Sequence, residues 1–259
     1  MKTLIFPTAE AAAERVAQQI LTTVRAKPQA RLGLATGGTM PPVYQRLVTA
    51  YRNGQVSFAE TLSFNLDEYV GLPADHPCSY HHFMQDTLFA QTDFAPGHTH
   101  LPKGDAPDAA AESTRYDALI AANGPIDLQL LGLGPNGHIG FNEPSSSLAS
   151  RTRVKTLTSA TLAANKRYFA AGEQPPKYAI TVGIGTILDA RKIVLLATGP
   201  GKAKAAAQMI EGPLSAACPA SSLQMHQNTT VVLDAAAAAE LQHLDYYQTV
   251  HPEGREDAA

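Results

Sequence analysis

Residues 193–210 read Ile-Val-Leu-Leu-Ala-Thr-Gly-Pro-Gly-Lys-Ala-Lys-Ala-Ala-Ala-Gln-Met-Ile. The unbroken apolar run from Ile193 to Ala197 leaves no polar face, which suits a strand covered by helices on both sides. Gly199, Pro200 and Gly201 interrupt it, and Lys202–Ile210 reads as helix. The same strand–turn–helix unit recurs outward in both directions. Further strands read at Leu4–Phe6, Arg31–Ala35, Thr61–Leu66, Asp127–Leu133, Tyr178–Val182 and Thr229–Leu233. Helical spacing follows Thr8, a capping residue ahead of Glu10 and apolar Ala12, Val16, Ile20 and Leu21. It returns at Pro41–Tyr51, Tyr80–Leu88, Ala109–Ala122, Thr158–Phe169 and Ala235–Leu241. Such alternation predicts an α/β fold: a doubly wound, mostly parallel sheet with helices on both faces, Rossmann-like but without a dinucleotide. No internal repeat or linker divides the chain, so a single domain is expected over 1–252, with a polar tail over 253–259. Ligands of such sheets bind outside the carboxyl ends of the strands, so the residues after each strand carry the functional reading.

Composition narrows the classes. The chain has 259 residues, 44% of them hydrophobic, and 20 basic against 23 acidic side chains give a net charge of −3. That balance excludes a nucleic-acid binder held by global positive charge. The apolar runs fall short of the roughly 18 residues a membrane span needs. Glu10, Glu14 and Arg15 sit within an amphipathic N-terminal pattern, which does not read as a signal peptide. Cys78 and Cys218 form no Cys-x-x-Cys pair, which suits a reducing cytoplasm and neither a disulfide framework nor a zinc site.

Four segments after strands carry chemistry. Thr36-Gly37-Gly38-Thr39 precedes a helix opened by Pro41; glycines that free backbone N–H groups, flanking hydroxyls and a helix N-terminus make an anion cradle, most naturally for phosphate. It is no Walker loop, because Ala203 and not Ser or Thr follows Lys202. Asp67 and Glu68 follow the third strand. Adjacent residues of an extended chain point opposite ways, so one acid should enter the crevice and the other face solvent or a partner; a general base is expected rather than a metal ligand. Gly132–Gly137 matches Gly-x-Gly-x-x-Gly, but Gly140 and Pro144 oppose the helix that a dinucleotide site requires, and no acid lies between Glu143 and Glu173. What remains is a glycine-rich turn presenting Asn136, His138 and Glu143, with the carboxylate placed to set the imidazole's tautomer. Beyond it, Arg151, Arg153, Lys155, Lys166 and Arg167 lie in an acid-free stretch that suggests an anionic ligand, and Lys202 opens a helix after Gly199-Pro200-Gly201. His76, His81 and His82 lack metal-ligand spacing, Cys78 and Cys218 lack activating neighbours, and no Gly-x-Ser-x-Gly elbow occurs.

The strings LATGGT (34–39), FNLDEYVGLP (64–73), SYHHFM (79–84), LGLGPNGHIGFNEPSSSLASRTRVKTLT (131–158) and YAITVGIGTILDA (178–190) resemble the glucosamine-6-phosphate deaminase family, with similarity from near the N-terminus to about Leu241. The resemblance implies conversion of glucosamine 6-phosphate and water to fructose 6-phosphate and ammonia, with no metal or organic cofactor. It implies Asp67 as the base moving a proton between C2 and C1, and His138 as the ring opener with Asn136 and Glu143 in its relay. Thr36, Gly37, Gly38, Thr39, Arg167 and Lys202 would hold the phosphate. Some relatives carry Asp where this chain has Asn136; Asn cannot ionise, so Glu143 would tune the histidine more directly. Some relatives are hexamers activated by N-acetylglucosamine 6-phosphate and others are simpler, so hexamer and monomer both stand. Ser146, Arg153 and Lys155 match the effector site, and Tyr246 or Tyr247 could supply its tyrosine. A lid is expected near 157–180. The implied partner is a small amino-sugar phosphate, not nucleic acid or membrane, and the implied compartment is the cytoplasm. The related 6-phosphogluconolactonases need no enolisation base, so Asp67-Glu68-Tyr69 and Phe141-Asn142-Glu143-Pro144 favour the deaminase. A sugar-phosphate-sensing regulator would need a helix-turn-helix segment, and the α/β pattern begins at about Lys2.

Overall fold

Runs that must be apolar on both faces are buried on both faces: Val194, Leu195, Leu196, Val231, Val232 and Leu233 are all 0% exposed. The computed structural model describes residues 1–254. Along it run β1 (Lys2–Phe6), α1 (Ala9–Ala26), β2 (Arg31–Leu34), α2 (Pro41–Arg52), β3 (Leu62–Asn65) and β4 (Asp67–Tyr69). Then come α3 (Tyr80–Thr87), β5 (Thr99–His100), α4 (Ala109–Ala122), β6 (Leu128–Gly132), β7 (Arg153–Thr156) and α5 (Ser159–Asn165). The last third holds β8 (Tyr178–Thr181), α6 (Ile184–Leu188), β9 (Ile193–Ala197), α7 (Ala203–Ile210), β10 (Thr229–Asp234) and α8 (Leu244–Val250).

The main sheet has seven strands in the order β1-β10-β9-β6-β2-β3-β5, and every pairing in it is parallel. This is the doubly wound, mostly parallel α/β architecture. From β2 the chain moves outward through β3 and β5; from β6 it moves the other way through β9 and β10. The winding therefore reverses between β2 and β6, where such sheets open a crevice at their carboxyl edge. Helices fit the sheet by local rules. Thr8 caps α1 by accepting the Ala11 N–H at 3.1 Å, and α1 buries Ala12, Ala13, Val16, Ala17, Ile20, Leu21 and Val24. Two prolines open α2, and its buried Tyr44 donates its hydroxyl to the Ala35 carbonyl just past β2.

The structure departs from the sequence expectations in several places. Tyr178–Val182 does not join the parallel sheet: β8 pairs antiparallel with β4 and β7 in a separate three-stranded sheet. Its partners are too short or too polar to register as apolar runs, and the Val182 N–H bonds the Leu66 carbonyl at 2.7 Å, fixing β8 against the extension of β3. The helix expected over Ala235–Leu241 is a series of turns: Asp234 caps its start by accepting the Ala237 N–H at 2.7 Å, and the Ala238 N–H bonds the Asp234 carbonyl at 3.1 Å, but the Leu241 N–H then bonds only three residues back, to the Ala238 carbonyl at 3.0 Å. Thr158–Phe169 divides into α5 and a 3-10 turn at Lys166–Tyr168. Of the expected polar tail, Glu253 and Gly254 belong to a 3-10 turn at Pro252–Gly254, with Glu253 paired to Lys2 of β1; 255–259 lie outside the described residues. Among the described residues, no helix is long and apolar enough to cross a membrane.

Candidate active site

Four neighbouring strands, β9, β6, β2 and β3, run parallel, so their carboxyl ends share one edge. The residues after them are the Lys202 turn, Gly134–Glu143, Thr36–Thr39 and Asp67. Sequence positions spread over much of the chain thereby meet at the reversal point of the sheet.

Asp67 begins β4 opposite Thr181, and is 5% exposed. Its Oδ2 lies 3.3 Å from where a Cβ on Gly140 would stand, so any side chain there would crowd the carboxylate. Burial pushes the Asp67 carboxyl up to about 8; the neighbouring Glu68 charge adds to the rise, and a hydrogen bond with Thr36 opposes it. Glu68 points the other way, as strand alternation requires. It does not face solvent: its carboxylate accepts the N–H groups of Tyr69, Tyr80 and His81 at 2.9, 3.0 and 2.9 Å, locking β4 to the start of α3. Burial also raises Glu68, to about 7, against the pull of those three N–H groups.

The glycine-rich turn after β6 holds the imidazole. A Cβ on Gly134 would fall 2.3 Å from His138 Nε2, so the ring lies where only glycine leaves room. His138 Nδ1 stands 3.4 Å from Glu143 Oε2, an electrostatic contact longer than a good hydrogen bond. Asn136 Nδ2 donates to that same Oε2 at 2.7 Å, and Asn136 Oδ1 accepts the His138 N–H at 3.3 Å. Glu143 therefore faces the histidine directly, with Asn136 bracing both. Thr158 donates its N–H and hydroxyl to Glu143 Oε1, both at 3.2 Å. Burial alone would raise Glu143, but the close His138 imidazole and its charge, with the Thr161 hydroxyl and the Asn136 amide, outweigh it and hold the carboxyl down at about 2. Those partners favour its anionic form.

The phosphate candidates also converge. Among the described residues, no protein acceptor meets the N–H groups of Gly37, Gly38 and Thr39. The Tyr168 hydroxyl stands 2.9 Å from the Cβ position of Gly38, bringing the Lys166–Tyr168 turn over the cradle. Arg167 donates to that hydroxyl at 2.9 Å and lies 4.9 Å from the centre of the Tyr168 ring. Lys202 is pushed below the usual lysine range first by burial and then by the Arg167 charge. An anion bound near both groups would offset that repulsion.

Ser146 is buried and donates to the Glu143 carbonyl at 2.6 Å, and Arg153 donates to Asn142 Oδ1 at 2.9 Å. Both are tied to the histidine turn. Lys155 lies two residues along β7 from Arg153, on the same side of the strand. His76 pairs with Glu173 at 2.9 Å and His82 with Asp86 at 3.1 Å, and no group of three His, Cys, Asp or Glu among the described residues could hold a metal. Three contributors escaped the sequence reading: Tyr168 at the cradle, Thr181, which accepts the Phe141 N–H at 3.0 Å, and Asn142, which donates to the Ile139 and Val182 carbonyls at 2.9 Å. Asn142 carried a signal, since it stands within the string 141–144.

The family described as glucosamine-6-phosphate isomerases/6-phosphogluconolactonase matches residues 7–232. A glucosamine-6-phosphate deaminase of Cellvibrio japonicus (strain Ueda107) is 51% identical over 98% of this chain and 97% of its own length. One from Shewanella loihica (strain ATCC BAA-1088 / PV-4) is 52% identical over 98% and 95%. The solved structure of a monomeric glucosamine-6-phosphate deaminase superposes with a TM-score of 0.91 at 44% identity, covering 93% of this chain and all of that one. A 6-phosphogluconolactonase from Trypanosoma brucei shares the fold alone, at a TM-score of 0.71 and 21% identity over 93% of this chain and 98% of its own. The chain thus belongs to the glucosamine-6-phosphate isomerase/6-phosphogluconolactonase family and, within it, to the glucosamine-6-phosphate deaminases.

Proposed function

We infer that the protein converts glucosamine 6-phosphate and water to fructose 6-phosphate and ammonia, as a C–N hydrolase with an isomerase-type mechanism. The observation that carries this reading is the meeting of a buried carboxyl, an imidazole paired to an ionised glutamate, and a cationic cradle at one edge of the sheet. Thr36–Thr39, Arg167 and Lys202 bind the phosphate. That grip is remote from the reacting carbons and holds the opened sugar beside Asp67. His138, braced by Glu143 and Asn136, transfers the proton that opens the ring to the C1 aldehyde. Asp67 removes the proton from C2 while an ammonium proton of the substrate passes to O1, giving an enolamine, and Asp67 then returns its proton to C1. An iminium is left at C2; water adds there and ammonia departs, leaving the ketone. A carboxyl of raised pKa is the stronger base for a C–H proton. The substrate's protonated amine arrives with the opposite charge and favours its ionised form.

Ser146, Arg153 and Lys155 are the residues for a second sugar phosphate, N-acetylglucosamine 6-phosphate, acting through the bonds of Ser146 to Glu143 and of Arg153 to Asn142. The physiological setting of this reading is cytoplasmic amino-sugar catabolism after N-acetylglucosamine uptake, with a monomer as the simplest assembly. Incubation of the purified protein with glucosamine 6-phosphate should release ammonia and fructose 6-phosphate in equal amounts. Absence of both, or hydrolysis of 6-phosphogluconolactone in their place, would overturn the assignment.

A further inference from the structure

Asp234 ends β10 beside β9, and the reaction as derived makes no use of it. It is 6% exposed. Its two carboxylate oxygens each accept the Gly199 N–H at 3.0 Å, and Oδ1 also accepts the Ala237 N–H at 2.7 Å. Gly199 opens the turn that carries Lys202 and has φ 86°, in the left-handed region that favours glycine. On its other side, the Gly199 carbonyl accepts the Lys202 N–H at 3.1 Å. The turn is otherwise closed within itself, the Ala203 N–H bonding the Pro200 carbonyl. Among the described residues, nothing beyond the chain neighbours lies within 4 Å of the Cβ positions of Gly199 and Gly201, and Pro200 has no N–H to give.

We propose that Asp234 is a positioning residue for the substrate's phosphate: by gripping Gly199 it fixes the turn that aims Lys202 at the Thr36–Thr39 cradle. The inference rests on the phosphate reading of that cradle. A carboxylate suits the task because both of its oxygens only accept. An asparagine has one accepting oxygen and would turn an NH2 group toward an N–H donor.

The test compares Asp234→Asn, Lys202→Ala and the double variant by steady-state kinetics, with inorganic phosphate as competing anion. Asp234→Asn should raise KM for glucosamine 6-phosphate about tenfold, with most of the loss in kcat/KM residing in KM. Inhibition by phosphate should weaken in parallel, and the pH limbs should stay in place, which a general loosening of the fold would not produce. The double variant should be no worse than Lys202→Ala alone, because the grip acts only through that lysine. Gly199→Ala, which strains the other end of the same contact, should repeat the KM signature and decides the matter if Asp234→Asn fails to fold. An unchanged KM in Asp234→Asn or Gly199→Ala, or losses that multiply in the double variant, overturn the inference. If Lys202→Ala itself leaves KM unchanged, the phosphate role of Lys202 falls and this inference with it. If Lys202→Ala raises KM and Asp234→Asn does not, only the role of Asp234 falls.

Discussion

Replacing Asp67 by Asn removes the proton acceptor while keeping the shape of the side chain. Ammonia release in Asp67→Asn should drop by about 10²–10⁴-fold, the range typical of general-base transfer. Protection against heat by inorganic phosphate should remain, since the cradle stands on other loops; wild-type turnover in this variant would take Asp67 out of the mechanism. Glu68 offers a subtler test. Its charge helps raise Asp67, with burial the larger cause. In Glu68→Gln that contribution disappears, the Asp67 carboxyl falls back toward its ordinary range, and the acid limb of kcat/KM moves to lower pH. A pH–rate profile that keeps its acid limb, measured on a variant with a wild-type melting point, would deny Glu68 any electrostatic hold on its neighbour.

The Gly134–Glu143 turn after β6 works as one element, with the imidazole seated on Gly134 and held from behind by Glu143. His138→Gln should therefore damage the step that needs the imidazole. Turnover of the cyclic sugar is expected to fall at least tenfold further than turnover of substrate supplied in open-chain form, a margin that sits within general acid–base contributions of about 10²–10⁴. Equal losses on the two forms would assign the histidine to another step. This element was legible in the sequence because its chemistry is local: Asn136, His138 and Glu143 sit within one turn whose glycines announce close approach. The small sheet of β4, β8 and β7 was not legible. Its strands are short, and in β7 the pattern Arg153-Val154-Lys155-Thr156 has no apolar run to detect. Only pairing to residues far along the chain makes it a sheet. The Lys166–Tyr168 turn was invisible for the same reason, since nothing near it in sequence shows that Tyr168 rests on Gly38.

For the molecule as a whole, the buried acids divide into two classes with opposite pH consequences. Glu143, held at about 2, contributes stability that is present above its unfolded value and lost as the pH falls from about 4.5 toward 2. Asp67, raised to about 8, does the reverse: its contribution is whole below the unfolded value near about 4 and declines as the pH climbs toward 8. Asp67→Asn cannot ionise, so its melting temperature should gain on the wild type between pH 5 and pH 8, by about 2–4 °C for each kcal/mol involved. A melting-temperature difference that stays flat across that range would show that the carboxyl is not held neutral by its surroundings.

Taken alone, the chain's order of residues determined most of the helices, the long apolar strands of the main sheet and their parallel pairing, and which turns carry reactive groups. Those properties depend on neighbours a few positions away: apolar runs, caps, glycines and prolines. Tertiary structure alone decided that β9, β6, β2 and β3 stand side by side, that Tyr168 and Arg167 reach the Gly38 loop, that Glu68 is spent on α3, and that Asp234 restrains Gly199. Each of these joins residues distant in the chain through packing and desolvation. Such terms exist only once the backbone has closed around the site, so no local pattern encodes them.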